Sequence, residues 1–287
     1  MTTNQNPQNT PDSPAPQNMV ISWVLNAMGA PVVALLIYIG GLATLIAETT
    51  AWVWRSVALR RVRLGRRGLY TQITRVGIHS MAVIALVSGC IGVILALQMA
   101  PPLDTFGATD SVATIVAIAV VRELGPLISA IVLTGFAGAS IAAELGTMVV
   151  GEEIEALEAH ALNPIRFLVV PRLIATTISM VILSIFAIIV AIGGGHIIGV
   201  LILDITSATY YNHTVAALDL TDVLTSLWKA GVFGLILGAV ACYNGLKVTG
   251  GAAGVGRATT YTVVHSIVLI VISDLIFVAL FYRLGWT

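Results

Sequence analysis

Long apolar stretches separated by short polar connections dominate the hydropathy pattern of this 287-residue chain. A helix needs about 20 apolar residues to cross the hydrocarbon core of a bilayer. The runs that reach this length are 76–99, 112–138, 168–203, 223–246 and 262–284. The pattern therefore predicts an all-α membrane protein built around five membrane-spanning helices.

Three segments depart from this simple plan. The run 168–203 is longer than one span requires, and its GGGHIIG stretch at 193–199 predicts a break in the helix. The glycine-rich residues 250–260 predict a tight cytoplasmic turn. A further apolar run, 20–47, leads into a segment rich in Trp and Arg, which suits a helix at the membrane interface as well as one that crosses the bilayer. The pattern alone leaves that choice open.

The distribution of Lys and Arg predicts the orientation of the spans. Half of the 14 Lys and Arg residues lie in 55–75, whereas the connections 100–111 and 204–222 contain aspartates and no basic residue. Basic residues concentrate on the cytoplasmic side of membrane proteins. This rule places 55–75, 139–167 and 247–261 in the cytoplasm and the C-terminus on the outer side.

Glycines recur at a spacing typical of helix packing. Gly234 and Gly238 form one G-x-x-x-G pattern, and Gly195 and Gly199 form another. Small residues at this spacing allow helix backbones to approach closely. We therefore expect both pairs to lie in contacts between helices.

Composition supports a membrane location and excludes other classes of function. Hydrophobic residues make up 57% of the chain and charged residues 10%, against about 25% charged residues in soluble domains. The net charge of zero gives no basis for nucleic-acid binding. Residues 1–19 are rich in Asn, Gln and Pro and are predicted to be disordered. They lack the basic segment of a signal peptide, so we expect insertion through the protein's own spans.

Four charged residues fall well inside the predicted spans, away from the ends next to the cytoplasmic connections or the C-terminus, at overlapping depths. Arg122 and Glu123 lie in the motif RELGP of the second span, Lys229 lies in the fourth span and Asp274 in the fifth. A charge at the centre of a bilayer costs about 2.5–3.5 kcal/mol on insertion scales, so we expect these groups to pair inside the bundle. Pro126 cannot donate a hydrogen bond, and this leaves the carbonyl of Arg122 available to another donor.

The sequence leaves two interpretations of these charges open. They either stabilise the bundle as ion pairs or line a path for a polar or amphipathic substrate. The chain has no G-x-x-x-x-G-K-[ST], H-E-x-x-H or G-x-S-x-G motif, and its five histidines lack the spacing of metal ligands. We therefore predict no catalytic residue, no metal site and no ATP-binding site within this chain.

The cytoplasmic connection after the second span contains an unusually acidic segment over 151–162. Its glutamates are Glu152, Glu153, Glu155 and Glu158. Its apolar residues Ile154, Leu157 and Ala161 follow the spacing of one helix face. Asn163 and Pro164 are expected to end this helix. The pattern predicts a short amphipathic helix, which is either a solvated surface helix or a docking helix for a cytoplasmic partner.

Five motifs, taken in order, resemble the MlaE/YrbE family of ABC-transporter permeases. They are RELGP (122–126), AAELGTM (142–148), EEIEALE (152–158), NPIRFLVVPR (163–172) and GVGRATT (254–260). The resemblance runs from about residue 70 to the C-terminus. Each motif alone would be a weak signal, but five in order are specific.

The resemblance implies an interfacial elbow helix over 20–60, followed by a five-helix permease domain over 70–287 in the inner, or cytoplasmic, membrane. It also implies a homodimer, a separate cytoplasmic ABC ATPase that binds the ATP, and a periplasmic or extracytoplasmic lipid-binding protein of the MCE type. Such complexes move lipids, commonly phospholipids, between membranes. The permease chain itself would hold no cofactor.

The resemblance also assigns roles to particular residues. The acidic helix corresponds to the family's coupling helix, which docks on the ATPase through Glu152, Glu153, Ile154, Glu155, Leu157 and Glu158. Arg122, Glu123 and Lys229 fall where the family keeps polar residues beside the lipid cavity. The family commonly has Gly-Arg where this chain has Gly135 and Phe136, so no role of that arginine carries over.

We hypothesise that the intramembrane polar residues line a cavity at the dimer interface, open toward the outer face. Arg122 or Lys229 would contact a lipid phosphate, Asp274 would complete the polar pathway, and leucines and isoleucines of the first two spans would hold the acyl chains. Pro126 would act as a hinge toward the coupling helix. The alternative is a gradient-driven secondary transporter or channel that uses Glu123 and Asp274 as proton or ion sites. That alternative leaves the acidic helix without a role.

Overall fold

Helices joined by short connections make up the described part of the chain, residues 16–57 and 66–285 of a computed structural model. The helices are α1 (Pro16–Val57), α2 (Arg66–Ile73), α3 (His79–Asp104), α4 (Ser111–Ala119), α5 (Gly125–Leu133), α6 (Ala139–Val150), α7 (Glu153–Ala159), α8 (Val170–Leu201), α9 (Ser207–Ala216), α10 (Leu220–Leu246) and α11 (Gly251–Leu284). Single π-helical turns are found at Thr74–Ile78, Val120–Leu124, Thr134–Gly138 and Ile165–Val169. The described residues contain no strand, which confirms the all-α prediction.

Six helical segments among the described residues are long and apolar enough to cross a membrane. They are Val32–Arg55, Gly68–Asp104, Ser111–Val150, Ile165–Leu201, Leu220–Leu246 and Gly251–Leu284. The last five correspond to the five predicted spans. Four of them contain the whole apolar run because the helices continue into the polar flanks, whereas Ile165–Leu201 ends two residues before the predicted end of 168–203. The chain is therefore a multi-pass membrane protein.

The chain divides into two compact units, and the boundary between Thr44 and Leu45 falls inside α1. The described residues of the first unit form one continuous helix from Pro16. The second unit contains the helical bundle. Most of the predicted disordered tail, residues 1–15, lies outside the described residues. The interfacial placement of 20–47 stays a prediction, because α1 has the length and composition for either placement.

Helix α8 lies at the centre of the bundle and packs against α3, α5 and α10. The buried side of α3 repeats every fourth residue, at Ser80, Ile84, Ser88, Gly92, Ala96 and Ala100. The buried side of α8 repeats in the same way, at Ala175, Ser179, Leu183, Ala187, Ala191, Gly195 and Gly199. Rows at this spacing form the ridges by which two helices interlock. The small side chains bring the backbones together so closely that a Cβ on Gly92 would overlap the carbonyl of Ala191.

The glycines of 193–199 do not break α8, which continues without interruption to Leu201. This prediction was wrong because the glycines serve packing rather than a turn. A Cβ on Gly194 would lie 2.6 Å from the carbonyl oxygen of Gly89 on α3. Gly195 and Gly199 accommodate the buried side chain of Tyr210 from α9. A Cβ on Gly195 would also lie 3.4 Å from the carbonyl oxygen of Gly92 on α3, so this pair lies in contacts between helices, as predicted.

The pair Gly234 and Gly238 also lies in a contact between helices, as expected. A Cβ on Gly234 of α10 would lie 2.8 Å from the Cα atom of Thr177 on α8, and Gly238 packs against Leu173 one turn further along. The close contact between α8 and α10 confirms the helix-packing interpretation of this pair.

The glycine-rich stretch 250–260 is mostly helical, which corrects the predicted turn. Only Gly250 (φ +85°) and Gly251 (φ +65°) adopt left-handed backbone conformations, and α11 begins at Gly251. Gly254 then packs against the carbonyl of Thr249. The stretch combines one sharp turn with the closely packed first turns of a long helix.

Candidate functional site

Lys229 on α10 lies at the centre of a group of charged residues inside the bundle. Its side chain is 3% exposed, and its Nζ atom lies 2.7 Å from Oε1 of Glu123 and 3.1 Å from Oδ1 of Asp274. It also donates to the carbonyl oxygen of Arg122 at 3.3 Å. These contacts bring together the four charged residues that the sequence placed inside the spans.

Arg122 makes its ion pair with a residue that the sequence analysis did not select. Its Nε atom lies 2.8 Å from Oδ1 of Asp222, whose side chain is 2% exposed. The second carboxylate oxygen of Asp222 accepts the backbone N–H of Asp219 and completes a capping box at the start of α10. Two acidic residues three positions apart before an apolar run are a sequence signal for a capping box at the start of a helix. This signal could have moved Asp222 from the connection into the first turn of the helix.

We call these five residues the outer cluster: Arg122, Glu123, Asp222, Lys229 and Asp274. It contains two cations and three carboxylates, so its formal charge is −1 with all groups ionised. An ammonium group has three donors, and those of Lys229 already face two carboxylates and a carbonyl. Arg122 is 29% exposed, so it is the cation better placed to contact a ligand.

A π-helical turn at Val120–Leu124 carries Arg122 and Glu123 and leads directly into Pro126. The N–H of Gly125 bonds the carbonyl of Val120, five residues back. The carbonyl of Arg122, which Pro126 cannot bond, accepts the Lys229 ammonium instead. This agrees with the predicted free acceptor. Irregular helical turns of this kind are frequent at functional sites.

An apolar groove of about 660 Å³ adjoins the outer cluster between α10 and α11. Its aromatic walls are Trp228, Phe277 and Phe281. The Phe281 ring centroid is 6.0 Å from Nζ of Lys229, so the groove reaches the buried charges. The sequence hypothesis assigned acyl chains to the first two spans, whereas this groove belongs to the fourth and fifth spans. The site therefore has two adjoining parts: the charged outer cluster and the apolar α10–α11 groove.

The acidic helix α7 extends from Glu153 to Ala159 and has no buried residue. Its glutamates are exposed, while Ile154 and Leu157 are half-buried, which confirms the short amphipathic helix. Ala161 lies beyond the helix with a left-handed φ of +57°, so its predicted place on the apolar face was wrong.

Asn163 and Pro164 do not end α7. Instead, Oδ1 of Asn163 accepts the backbone N–H of Arg166 at 3.1 Å and caps the following helical turn. The predicted segment 151–162 is therefore a helix of seven residues with turns on both sides. Helix α7 follows α6 in the chain and packs against it.

A second group of charges lies near this connection, and we call it the inner cluster: Arg75, Glu144 and Arg172. Glu144 accepts from Nη1 of Arg75 at 2.8 Å and lies 3.0 Å from Nη2 of Arg172. Arg172 is 5% exposed and also donates to the carbonyl oxygen of Leu168. The sequence analysis missed this cluster because it ended the second span at residue 138, and α6 continues to Val150.

The fold and these charge clusters define a polytopic helical membrane protein with a polar site inside its bundle. A family model described as Permease MlaE matches residues 69–280. The chain belongs to this permease family.

Several named proteins are similar to the chain over most of its length. A "Probable ABC transporter permease protein" of Rickettsia felis is 42% identical over 74% of this chain and 82% of its own. The "Intermembrane phospholipid transport system permease protein MlaE" of Haemophilus influenzae is 33% identical over 76% of this chain and 84% of its own. The chloroplastic protein "TRIGALACTOSYLDIACYLGLYCEROL 1" of Arabidopsis thaliana is 30% identical over 81% of this chain and 69% of its own.

Proposed function

We propose that this chain is the membrane-spanning subunit of an ABC transporter that moves phospholipids between membranes. The observation that carries the proposal is the contact between the outer cluster and the α10–α11 groove. A phospholipid has a charged headgroup joined to apolar chains, and the site offers both environments side by side. The name of the Haemophilus relative supports the same class of substrate.

In this proposal Arg122 contacts the headgroup phosphate, since its guanidinium is partly exposed and bonds phosphates well. Glu123 has 39% of its side chain exposed. Its carboxylate lies next to Arg122 in the chain and favours a positively charged part of the headgroup, such as an amine. Lys229 and Asp274 hold Glu123 in place from the buried side. An acyl chain occupies the groove against Trp228, Phe277 and Phe281.

The energy comes from a separate cytoplasmic ATPase that docks on α7. Two observations support this docking site. The glutamates of α7 are exposed, and the distribution of Lys and Arg places this connection on the cytoplasmic side of the membrane. Because α7 follows α6 and packs against it, a push on α7 reaches the long helix Ser111–Val150 that carries Arg122 and Glu123. The π-helical turn before Pro126 is a natural place for that helix to bend.

The resemblance to MlaE/YrbE permeases supports the remaining parts of the proposed assembly. Two copies of the chain form a homodimer in the inner membrane, and an MCE-type protein receives or delivers the lipid on the outer side. ATP is bound by the partner ATPase, and the permease contributes no nucleotide site.

Copurification from the native membrane tests the ATPase part of the proposal. The wild-type chain should bring down an ATPase in a stoichiometric ratio. A variant with Glu152, Glu153, Glu155 and Glu158 all changed to Gln should lose it, because the docking surface loses its negative charge. A variant with Asp104, Asp110 and Asp204 changed to Asn neutralises carboxylates of the outer connections and should retain the ATPase.

A lipid-transfer assay in proteoliposomes tests the substrate. Transfer of labelled phospholipid should require ATP and the copurified ATPase, and Arg122→Gln should slow it. If a folded wild-type chain copurified with no ATPase and moved its substrate only under a proton gradient, the secondary-transporter alternative would replace this proposal.

A further inference from the structure

A second, smaller cavity lies at the predicted cytoplasmic end of the bundle, beside the inner cluster. Its volume is about 350 Å³. The polar side chains in its wall are those of Gln72, Arg75, His79 and Ser140, and Phe136 forms part of its apolar wall. These residues come from α2, the π-helical turn that follows it, α3, α6 and the turn before α6. The cavity is separate from the outer cluster and from the α10–α11 groove.

The charge beside this cavity is unbalanced. Two guanidinium groups, those of Arg75 and Arg172, share the single carboxylate of Glu144, so the inner cluster has a formal charge of +1. Arg172 is buried and is also bonded to a backbone carbonyl. The spare positive charge is therefore best presented by Arg75, whose side chain is 48% exposed.

Arg75 retains donors for a ligand. Its Nη1 atom bonds Glu144, and a guanidinium carries several further N–H groups in a fixed, planar arrangement. The side chains of His79, Gln72 and Ser140 add further polar groups to the same wall. A net positive charge with several donors around a small cavity is suited to an oxyanion such as phosphate.

We propose that this inner cavity binds a phosphate group, the chemistry shared by a phospholipid headgroup and free phosphate. Its position favours the lipid, because the positive-inside rule places it where headgroups of the cytoplasmic leaflet lie. The apolar part of the wall, including Phe136, gives the glycerol end of a lipid a surface that a free ion would not use. The site holds a lipid in the inner leaflet. Binding of this lipid does not depend on the transport activity proposed above.

Photo-crosslinking in nanodiscs tests the site directly. The full chain is placed in phosphatidylcholine nanodiscs with a small fraction of phosphatidylglycerol that carries a photoactivatable group on its headgroup. Crosslinks should map to residues 72–79 and 136–141. Arg75→Gln should reduce labelling of these peptides about tenfold, in line with the strength of a hydrogen bond to a charged group.

Two further variants separate a built site from general attraction to basic residues. Ser140→Phe keeps every charge but fills the cavity, and it should reduce labelling as strongly as Arg75→Gln. Arg257→Gln removes an exposed arginine on the same predicted side and should leave labelling unchanged. The proposal is wrong if labelling maps elsewhere, or if a cavity variant that melts like the wild type is labelled as strongly as the wild type.

Competition identifies the source of the phosphate. If excess inorganic phosphate fails to displace the lipid at constant ionic strength, the occupant is the headgroup. If inorganic phosphate abolishes labelling and chloride does not, the cavity takes free phosphate. Both results support a phosphate site, whereas equal displacement by phosphate and chloride would show charge screening alone and would overturn it.

Discussion

The outer and inner clusters lie on the same rod of helix, Ser111–Val150, and use charge in opposite ways. Glu123 and Glu144 are separated by about 30 Å along this rod, at about 1.5 Å per residue. In the outer cluster two carboxylates surround a buried ammonium, while in the inner cluster two guanidinium groups share one carboxylate.

The difference follows from the surroundings of each cluster. Deep in a bilayer an unpaired charge is costly, so every donor of Lys229 is occupied. Near the membrane surface water and headgroups can solvate an excess charge, so Arg75 can remain half exposed. Burial therefore decides which cluster is tightly constrained and which can take part in further contacts.

The largest expected effect comes from removing the buried cation. Lys229→Met leaves Glu123 and Asp274 facing each other without a counter-charge, and we expect a loss of about 3–5 kcal/mol in the free energy of unfolding. Denaturant unfolding in detergent measures this. Adding Glu123→Gln and Asp274→Asn to the same chain should restore much of the stability, and a triple variant as unstable as Lys229→Met would contradict this account.

Removing the second cation of the outer cluster should cost less. Arg122→Gln leaves Asp222 with the backbone N–H of Asp219 as its hydrogen-bond partner among the described residues, and we expect a loss of about 1–3 kcal/mol. The matched variant Arg122→Gln with Asp222→Asn should recover stability but not lipid transfer. Recovery of both would show that Arg122 is a structural partner of Asp222 and does not contact substrate.

Two glycines of the same rod should respond in opposite directions to alanine. Gly125 packs against Ile188 beside the outer cluster, and Gly125→Ala should destabilise by about 1–3 kcal/mol through overpacking. Gly135, near the inner cavity, has open space where a Cβ would lie, so Gly135→Ala should be neutral or stabilising through helix propensity. Thermal melting in detergent compares the two, and equal shifts would argue against the packing difference.

The smallest effect is expected at the inner cluster. Glu144→Gln removes the negative charge but keeps an amide oxygen that can accept from the buried Arg172, which also keeps its bond to Leu168, so we expect a loss of only about 1 kcal/mol. The same denaturant experiment applies. A loss as large as that of Lys229→Met would mean that the inner cluster is as tightly constrained as the outer one.

Much of this architecture could be predicted from the chain alone. Span positions, the amphipathic helix α7 and the acceptor freed by Pro126 depend on local hydropathy and backbone chemistry, which are visible in sequence. The partners Asp222 and Glu144 were missed because both lie outside the apolar runs. Hydropathy marks where apolar residues end, whereas caps and packing decide where helices end.

Glycine was the least predictable residue for the same reason. The stretches 193–199 and 250–260 have the composition of turns, yet both are mainly helical. Gly194, Gly195 and Gly199 are required by neighbours on other helices, such as Gly89 and Tyr210, whereas Gly254 packs against the nearby carbonyl of Thr249. A pattern within one helix does not show which element will approach it.

The interlocked rows of α3 and α8 have a mechanical consequence. We call this contact the α3–α8 seam. Because the two backbones touch there, one helix has no room to slide a fraction of a turn past the other. We therefore expect α3 and α8 to move as one rigid body while a transporter of this kind cycles, and the relative motion to occur at the more open α10–α11 pair. A covalent crosslink across the α3–α8 seam should leave the cycle intact, whereas one across the groove should stall it.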